Sequence, residues 1–133
     1  IAGRIVAKPI KELILSGSTV LGSDVLMMGV SFKEDCPDMR NTKVVDVIEG
    51  LKGFGVNVDV YDPWIDVNKE SDWYKHGCIA DPFSASKKYD AIVVAVAHTE
   101  FRKIQKKIFK NISKKELVLI DVKGIYKEST WSL

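Results

Sequence analysis

Apolar positions along this 133-residue chain alternate between the three-to-four spacing of a helix and short unbroken runs. From Ala2 to Leu15 the residues Ile5, Val6, Pro9, Ile10, Leu13 and Ile14 recur at helical spacing. Pro9 costs about 3 kcal/mol inside a helix, so a kink or a start is expected there. After the turn residues Ser16, Gly17 and Ser18, the run Val25 to Val30, opened by Asp24, reads as a strand apolar on both faces. Thr42 to Phe54 places Val44, Val45, Val47, Ile48, Leu51 and Phe54 on one side of a helix that ends at Gly53 or Gly55. A second strand spans Val56 to Tyr61, closed by Asp62 and Pro63.

From Trp64 to Phe83 the pattern is weaker, with a helix around Val67 to Lys75 and a short strand near Cys78 and Ile79. Asp90 to Ala97 is the strongest strand signal, a block of Ala, Ile and Val with no charge after Asp90. Thr99 can cap a helix from Glu100 to Phe109, with Phe101, Ile104, Ile108 and Phe109 on one face. Leu117 to Val122 is the last strand, broken by Gly124. Strand and helix alternate throughout, which predicts an α/β fold: a Rossmann-like three-layer α/β/α sandwich on a mostly parallel sheet.

With 46% apolar residues, a chain of this length buries roughly two-thirds of its unfolded surface, enough for one core. The formal charge of +2 is too weak to hold a polyanion by counterion release, so nucleic acid is not expected as a partner. Any anion site must be local. Two cysteines, Cys36 and Cys78, are too few for a disulfide framework and lack CxxC spacing, so no metal is expected and a reducing cytoplasm is the expected home. No apolar run reaches the roughly twenty residues that span a bilayer. Ile1 stands where a complete chain would carry Met, which reads as part of a longer polypeptide.

In an open parallel sheet the ligand lies beyond the carboxyl ends of the strands. The loop after Val30 places Lys33, Arg40 and Lys43 at or before a helix start, where the macrodipole disfavours each cation by about 0.3 to 1 kcal/mol. A phosphate held by these side chains and the amides of Asn41 to Val44 would compensate. Pairing of Glu34, Asp35 and Asp38 with the same cations in a solvated loop is the alternative.

That loop, Gly29-Val30-Ser31-Phe32-Lys33-Glu34-Asp35-Cys36-Pro37-Asp38-Met39-Arg40-Asn41-Thr42-Lys43, resembles the opening of the C-terminal domain of UDP-glucose/GDP-mannose dehydrogenases. Three later stretches are similar to that domain in the same order. They are Asp59-Val60-Tyr61-Asp62-Pro63, Ala95-Val96-Ala97-His98-Thr99-Glu100-Phe101 and Ile120-Asp121-Val122-Lys123-Gly124. The resemblance covers nearly the whole chain from Gly22. It divides the chain into residues 1–17, the end of the central interdomain helix, and residues 18–133, the C-terminal nucleotide-sugar (UDP)-binding domain.

The resemblance implies an NAD-dependent nucleotide-sugar 6-dehydrogenase that oxidises the C6 hydroxyl of a UDP-sugar to a carboxylate in surface or capsular polysaccharide synthesis. The reaction removes four electrons, uses two NAD molecules and depends on a cysteine nucleophile in the central part of the longer chain. Partner parts are an N-terminal NAD-binding domain, which holds most of the cofactor, and a central domain, with a homodimer as the full-length assembly. Carried over by position, Phe32, Lys33 and Lys123 bind the nucleotide sugar and Arg40 reaches NAD at the interdomain cleft. The loop resembles the UDP-N-acetylhexosamine branch more than the UDP-glucose branch.

No catalytic residue is expected within this chain, which alone should be inactive. Cys78 is followed by Asp81 three residues on instead of four, and Cys36 occupies a position the family does not use for attack. His98 is expected to orient a loop or cap the helix at Thr99. The GxGxxG fingerprint does not follow Gly29. Two other readings stay open. A receiver domain would need an acidic pair after the first strand, where Ser31 and Phe32 stand instead, and a purely structural interaction domain would leave the charged loop as solvated surface.

Overall fold

The computed structural model describes every residue except 1, 16, 18, 32–34, 36–41, 66–75, 85, 127–130 and 133, and leaves aside the side chains of 2–5, 42, 131 and 132. Its elements are α1 (Ala2–Leu15), β1 (Asp24–Met28), α2 (Thr42–Gly53), β2 (Asn57–Tyr61), β3 (Ala91–Val94), α3 (Thr99–Arg102), α4 (Lys106–Asn111), β4 (Leu119–Asp121) and β5 (Trp131–Ser132). All five strands are parallel, in the order β2-β1-β3-β4-β5.

The two faces of the sheet follow from side-chain alternation along each strand. Val25 and Met27 of β1, Val58 and Val60 of β2, Ala91 and Val93 of β3 and Ile120 of β4 form one core with Val6 and Leu13 of α1 and Val44, Val47, Ile48 and Leu51 of α2. The intervening residues Leu26, Met28, Ile92, Val94 and Leu119 face Tyr89, Phe101, Phe109 and Ile112. Helices therefore cover both faces, giving the expected Rossmann-like three-layer sandwich. Among the described residues no helix is long and apolar enough to cross a membrane.

Several boundaries differ from expectation. α1 runs through Pro9 instead of starting there, because Val6, Pro9 and Leu13 are buried along one stripe and packing offsets the lost hydrogen bond. A Cβ on Gly50 would lie 2.8 Å from Cγ2 of Val6, so glycine there permits the close crossing of α1 over α2. The expected helix from Glu100 to Phe109 is two short helices, with Gln105 extended at φ −82° and ψ 153° between them. A continuous helix would set Arg102 four residues from Lys106, and Lys103 four from Lys107, and like charges so placed repel. Phe101 and Phe109, on either side of the break, are both fully buried.

Thr99 is not the cap residue: His98 holds that position without a side-chain bond. The expected helix from Val67 to Lys75 lies outside the described residues. The short strand near Cys78 is a single parallel bridge to Val60. Leu119–Asp121 is not the last strand, since Trp131 and Ser132 pair beside it, a dipeptide too short to leave a pattern. At the amino ends of the strands, Lys114 bridges the carboxylates of Asp24 (2.8 Å) and Asp90 (2.9 Å).

Candidate functional site

The strand order places the topological switch point between β1 and β3: from β1 the chain moves to β2 on one side, and from β3 to β4 on the other. The apolar runs outlast the strands here. Beyond β1, Gly29 adopts φ 90°, and a Cβ on it would lie 2.7 Å from Cβ of Val96 in the tail of β3. This close approach brings Val30 and Ser31 against the residues that end β2 and β3.

Asp62, 2% exposed after β2, organises the junction. Its Oδ2 accepts the backbone N–H groups of Val30 (2.9 Å) and Ser31 (3.2 Å) and lies 2.9 Å from Nε2 of His98. Its Oδ1 accepts the N–H of Trp64 at 2.8 Å, an Asx-type turn. His98 is fully buried, and its Nδ1 accepts the backbone N–H of Asp35 at 2.8 Å. An N–H can donate only to an unprotonated ring nitrogen, so the imidazole proton sits on Nε2, facing Asp62 and the hydroxyl of Ser31 at 3.0 Å. Trp64 and Phe101 flank the ring, with centroids 6.2 and 5.2 Å away.

Asp35 is the one non-glycine residue with positive φ among the described residues, at 52°. Its carboxylate accepts the N–H of Thr99 (2.8 Å) and the Thr99 hydroxyl (2.6 Å), supplying the cap that Thr99 was expected to supply. These two bonds, aided by the charge of Arg102, hold the Asp35 carboxyl below its ordinary range. His98 thus orients a loop, the first of its two expected roles, and caps α3 only through its carbonyl, which accepts from Phe101 and Arg102.

Of the sequence-derived site residues, Phe32, Lys33 and Arg40 lie outside the described residues, as does Cys36. Lys123 is exposed in the turn after β4, on the same edge of the sheet as the loop. It is not on the strand next to β1: β3 intervenes, a displacement of about 10 Å across the ladder. The turn is shaped by Asp121, whose Oδ2 accepts the N–H of Tyr126 at 2.7 Å, and by Gly124 at φ 68°. Oδ1 of Asp121 is buried with no hydrogen-bond partner among the described residues. Lys43 lies exposed in the first turn of α2, which contains no acidic residue.

Cys78 is 6% exposed, and burial, with the Asp62 charge, pushes its thiol up to about 11. That environment suppresses the thiolate an attacking cysteine needs. The described turn after β1 carries no glycine beyond Gly29, so it does not form the cradle a dinucleotide pyrophosphate requires. The junction of Asp62, His98, Ser31 and Asp35 was only partly anticipated. Its signal was the Asp62-Pro63 pair closing a strand, a setting in which aspartate turns back onto the backbone.

A family model described as the UDP-glucose/GDP-mannose dehydrogenase family, UDP binding domain, matches residues 26–128. The chain belongs to this family. The UDP-N-acetyl-D-glucosamine 6-dehydrogenase of Pseudomonas aeruginosa is 38% identical over 93% of the chain, and that of Salmonella typhi 40% identical over 87%. The chain spans 29% and 27% of their lengths, corresponding to one domain of each. Among solved structures, an NDP-N-acetyl-D-galactosaminuronic acid dehydrogenase from Methanosarcina mazei superposes with a TM-score of 0.80, 23% identity, and coverage of 95% of this chain and 26% of the other. At that identity the superposition speaks to the fold alone, which is Rossmann-like.

Proposed function

We propose that this chain is the part of an NAD-dependent UDP-sugar 6-dehydrogenase that holds the nucleotide diphosphate of the substrate, with a UDP-N-acetylhexosamine as the sugar nucleotide. The observation that carries the reading is the extent of the family match. Residues 26–128 take in the loops at the carboxyl ends of β1 to β4, where an open parallel sheet takes its ligand. The identity to two UDP-N-acetyl-D-glucosamine 6-dehydrogenases supports the choice of sugar. Lys33 and Lys123 neutralise the diphosphate, Phe32 offers an apolar face to the nucleotide sugar, and Arg40 reaches toward NAD at the domain boundary. Exposed Lys43 in an acid-free first turn of α2 adds positive potential beside the loop.

NAD itself is held mainly by a further domain of the longer polypeptide, which the missing glycine cradle supports. Residues 1–17 end the helix that connects the halves. Exposed Ile14 and Leu15 at its end support contact with the rest of a homodimeric enzyme. The free thiol of Cys78 suits a reducing compartment such as the cytoplasm.

Calorimetry tests the assignment. The chain is expected to bind UDP and to bind uridine far less well, with affinity falling as salt rises. Each charge-assisted contact is worth roughly 1.5 to 3 kcal/mol, so Lys33→Ala or Lys123→Ala should weaken UDP binding by about ten- to a hundredfold. Arg40→Ala should change it little. Equal affinities for the unaltered chain and both lysine variants would leave the loop as solvated surface.

A further inference from the structure

Across the carboxyl ends of the strands, Met28 of β1 stands opposite Val94 of β3, and Val94 opposite Asp121 of β4. Side-chain alternation puts all three on the sheet face lined by Phe101 and Phe109. A carboxylate thus follows two apolar side chains in one row, and it is fully buried there. Packing alone favours an aliphatic side chain at this place, because a buried carboxylate needs hydrogen bonds to offset its lost hydration. Of its two oxygens, only Oδ2 has a hydrogen-bond partner among the described residues, the N–H of Tyr126 at 2.7 Å.

That one bond closes the turn that carries Lys123. Before Lys123, Val122 is buried and its N–H donates to the carbonyl of Val94 at 3.0 Å. After it, the N–H of Gly124 donates to the carbonyl of Asp121 at 3.3 Å, and the chain returns at Tyr126 to the carboxylate. Tyr126 is anchored in its turn. Its hydroxyl donates to the carbonyl of Phe101 at 2.5 Å, and its ring meets Phe109 edge-on with centroids 5.4 Å apart. The backbone of exposed Lys123 is therefore fixed from both sides. Fixing it before a ligand arrives removes ordering that binding would otherwise have to supply.

We propose that Asp121 and Tyr126 are positioning residues that set the turn from Val122 to Ile125 so that Lys123 is presented to the substrate diphosphate. The inference rests on the assignment of Lys123 to that diphosphate, and it adds what holds the contact in place. Neither residue touches substrate. Only the backbone is fixed and the lysine side chain keeps its own rotamers, so the effect is a part of what Lys123 itself contributes.

The test is a double-mutant cycle with Lys123→Ala, read as UDP affinity of the 133-residue chain by calorimetry. Asp121→Ala removes the acceptor that closes the turn and should weaken binding by about five- to tenfold. Tyr126→Phe removes only the tether, since the Phe101 carbonyl keeps the N–H of Ile104, and should weaken it by about threefold. In the Lys123→Ala background each should cost less than about twofold. Asp121→Asn, whose amide oxygen can take the place of Oδ2, should bind within about twofold of the unaltered chain. Hydrogen exchange at the Tyr126 amide should be slow in the unaltered chain and in Asp121→Asn, and fast in Asp121→Ala.

Losses that persist undiminished in the Lys123→Ala background would show that the turn serves stability and not the lysine, overturning the inference and leaving the functional assignment standing. Affinity unchanged by Asp121→Ala and Tyr126→Phe, or a Tyr126 amide still slow in Asp121→Ala, would overturn it too. Should Asp121→Ala fail to fold, the cycle of Tyr126→Phe with Lys123→Ala decides alone. UDP binding indifferent to Lys123→Ala would overturn the placement of Lys123, and no UDP binding by the unaltered chain would overturn the assignment of the domain.

Discussion

Replacing Asp62 should separate its value as an acceptor from its value as a filled position. Oδ2 collects three buried donors, from Val30, Ser31 and His98, and Oδ1 collects the partly buried N–H of Trp64. Asp62→Ala leaves all four without this partner. A buried donor without a partner costs about 1 to 3 kcal/mol; His98 keeps the Ser31 hydroxyl, so the simple sum for the amides of Val30 and Ser31 is about 2 to 6 kcal/mol. Water entering the space left by the carboxylate satisfies part of that demand, which sets the expectation in the lower half of that range. A domain of this size has about 5 to 15 kcal/mol in total, so the variant should fold and be markedly weakened.

Asp62→Asn can keep its carbonyl oxygen where Oδ2 was and turn its amide toward Trp64, losing one partly buried bond for about 1 to 2 kcal/mol. Urea unfolding followed by circular dichroism would measure both variants, with the slope unchanged if the unfolded states are alike. An alanine variant within about 1 kcal/mol of the unaltered chain, or an asparagine variant as weak as alanine, would refute the account of this junction.

Gly29→Ala should cost about 3 kcal/mol in the same assay, because its Cβ would meet Val96 at 2.7 Å and its φ of 90° is unfavourable for alanine; a loss under about 1 kcal/mol would show that the tails of β1 and β3 can part. Cys78, its thiol raised to about 11, should resist iodoacetamide at mildly alkaline pH until the chain unfolds, and fast labelling of the folded chain would contradict its burial. Lys114→Met should lower stability by about 1 kcal/mol or less. Burial opposes ionisation of Asp24, but the hydrogen bond and charge of Lys114 and the charge of Lys87 outweigh it and hold the carboxyl below its ordinary 3.8, while Asp24 and Asp90 raise Lys114 above 10.5. A lowered carboxyl stabilises above its unfolded value and a raised lysine below its own. The gap between Lys114→Met and the unaltered chain should therefore be widest between these limits, and close as pH falls through the Asp24 value or rises through that of Lys114. A gap independent of pH in urea titrations would remove the ion pair as its cause.

The sheet was legible where burial leaves a local record. β1 and β3 are flanked by strands on both sides and so read as unbroken apolar runs, and α2 shows its helical period because one face packs on the sheet. The strands proved shorter than those runs because Gly29, Val30 and Val96 stay buried while leaving the ladder to close the site. The split between α3 and α4 carries no glycine or proline, and only the repeated cations of Arg102, Lys103, Lys106 and Lys107 hinted at it. At the site, the motifs fall at the carboxyl ends of the strands, where an open parallel sheet takes its ligand. The junction itself joins Asp62, His98 and Asp35 across separations of 36 and 63 residues, a geometry that follows from strand order and leaves no spacing to read.

Strand β1 pairs with β2 through a local crossover, but its other edge waits for β3, whose first contact at Asp90 lies 66 residues beyond Asp24. During synthesis the segment from α1 to β2 therefore emerges with one side of β1 unpaired. Leu26 and Met28 are also uncovered at that stage, since Phe101 and Phe109, which cover them, belong to the last third of the chain. An open strand edge beside a bare apolar face is what drives chains to pair with one another. A polypeptide stopped before β3 would thus be an aggregating half-sheet, and the ribosome must deliver the chain through α4 before both the free edge of β1 and its bare face are covered.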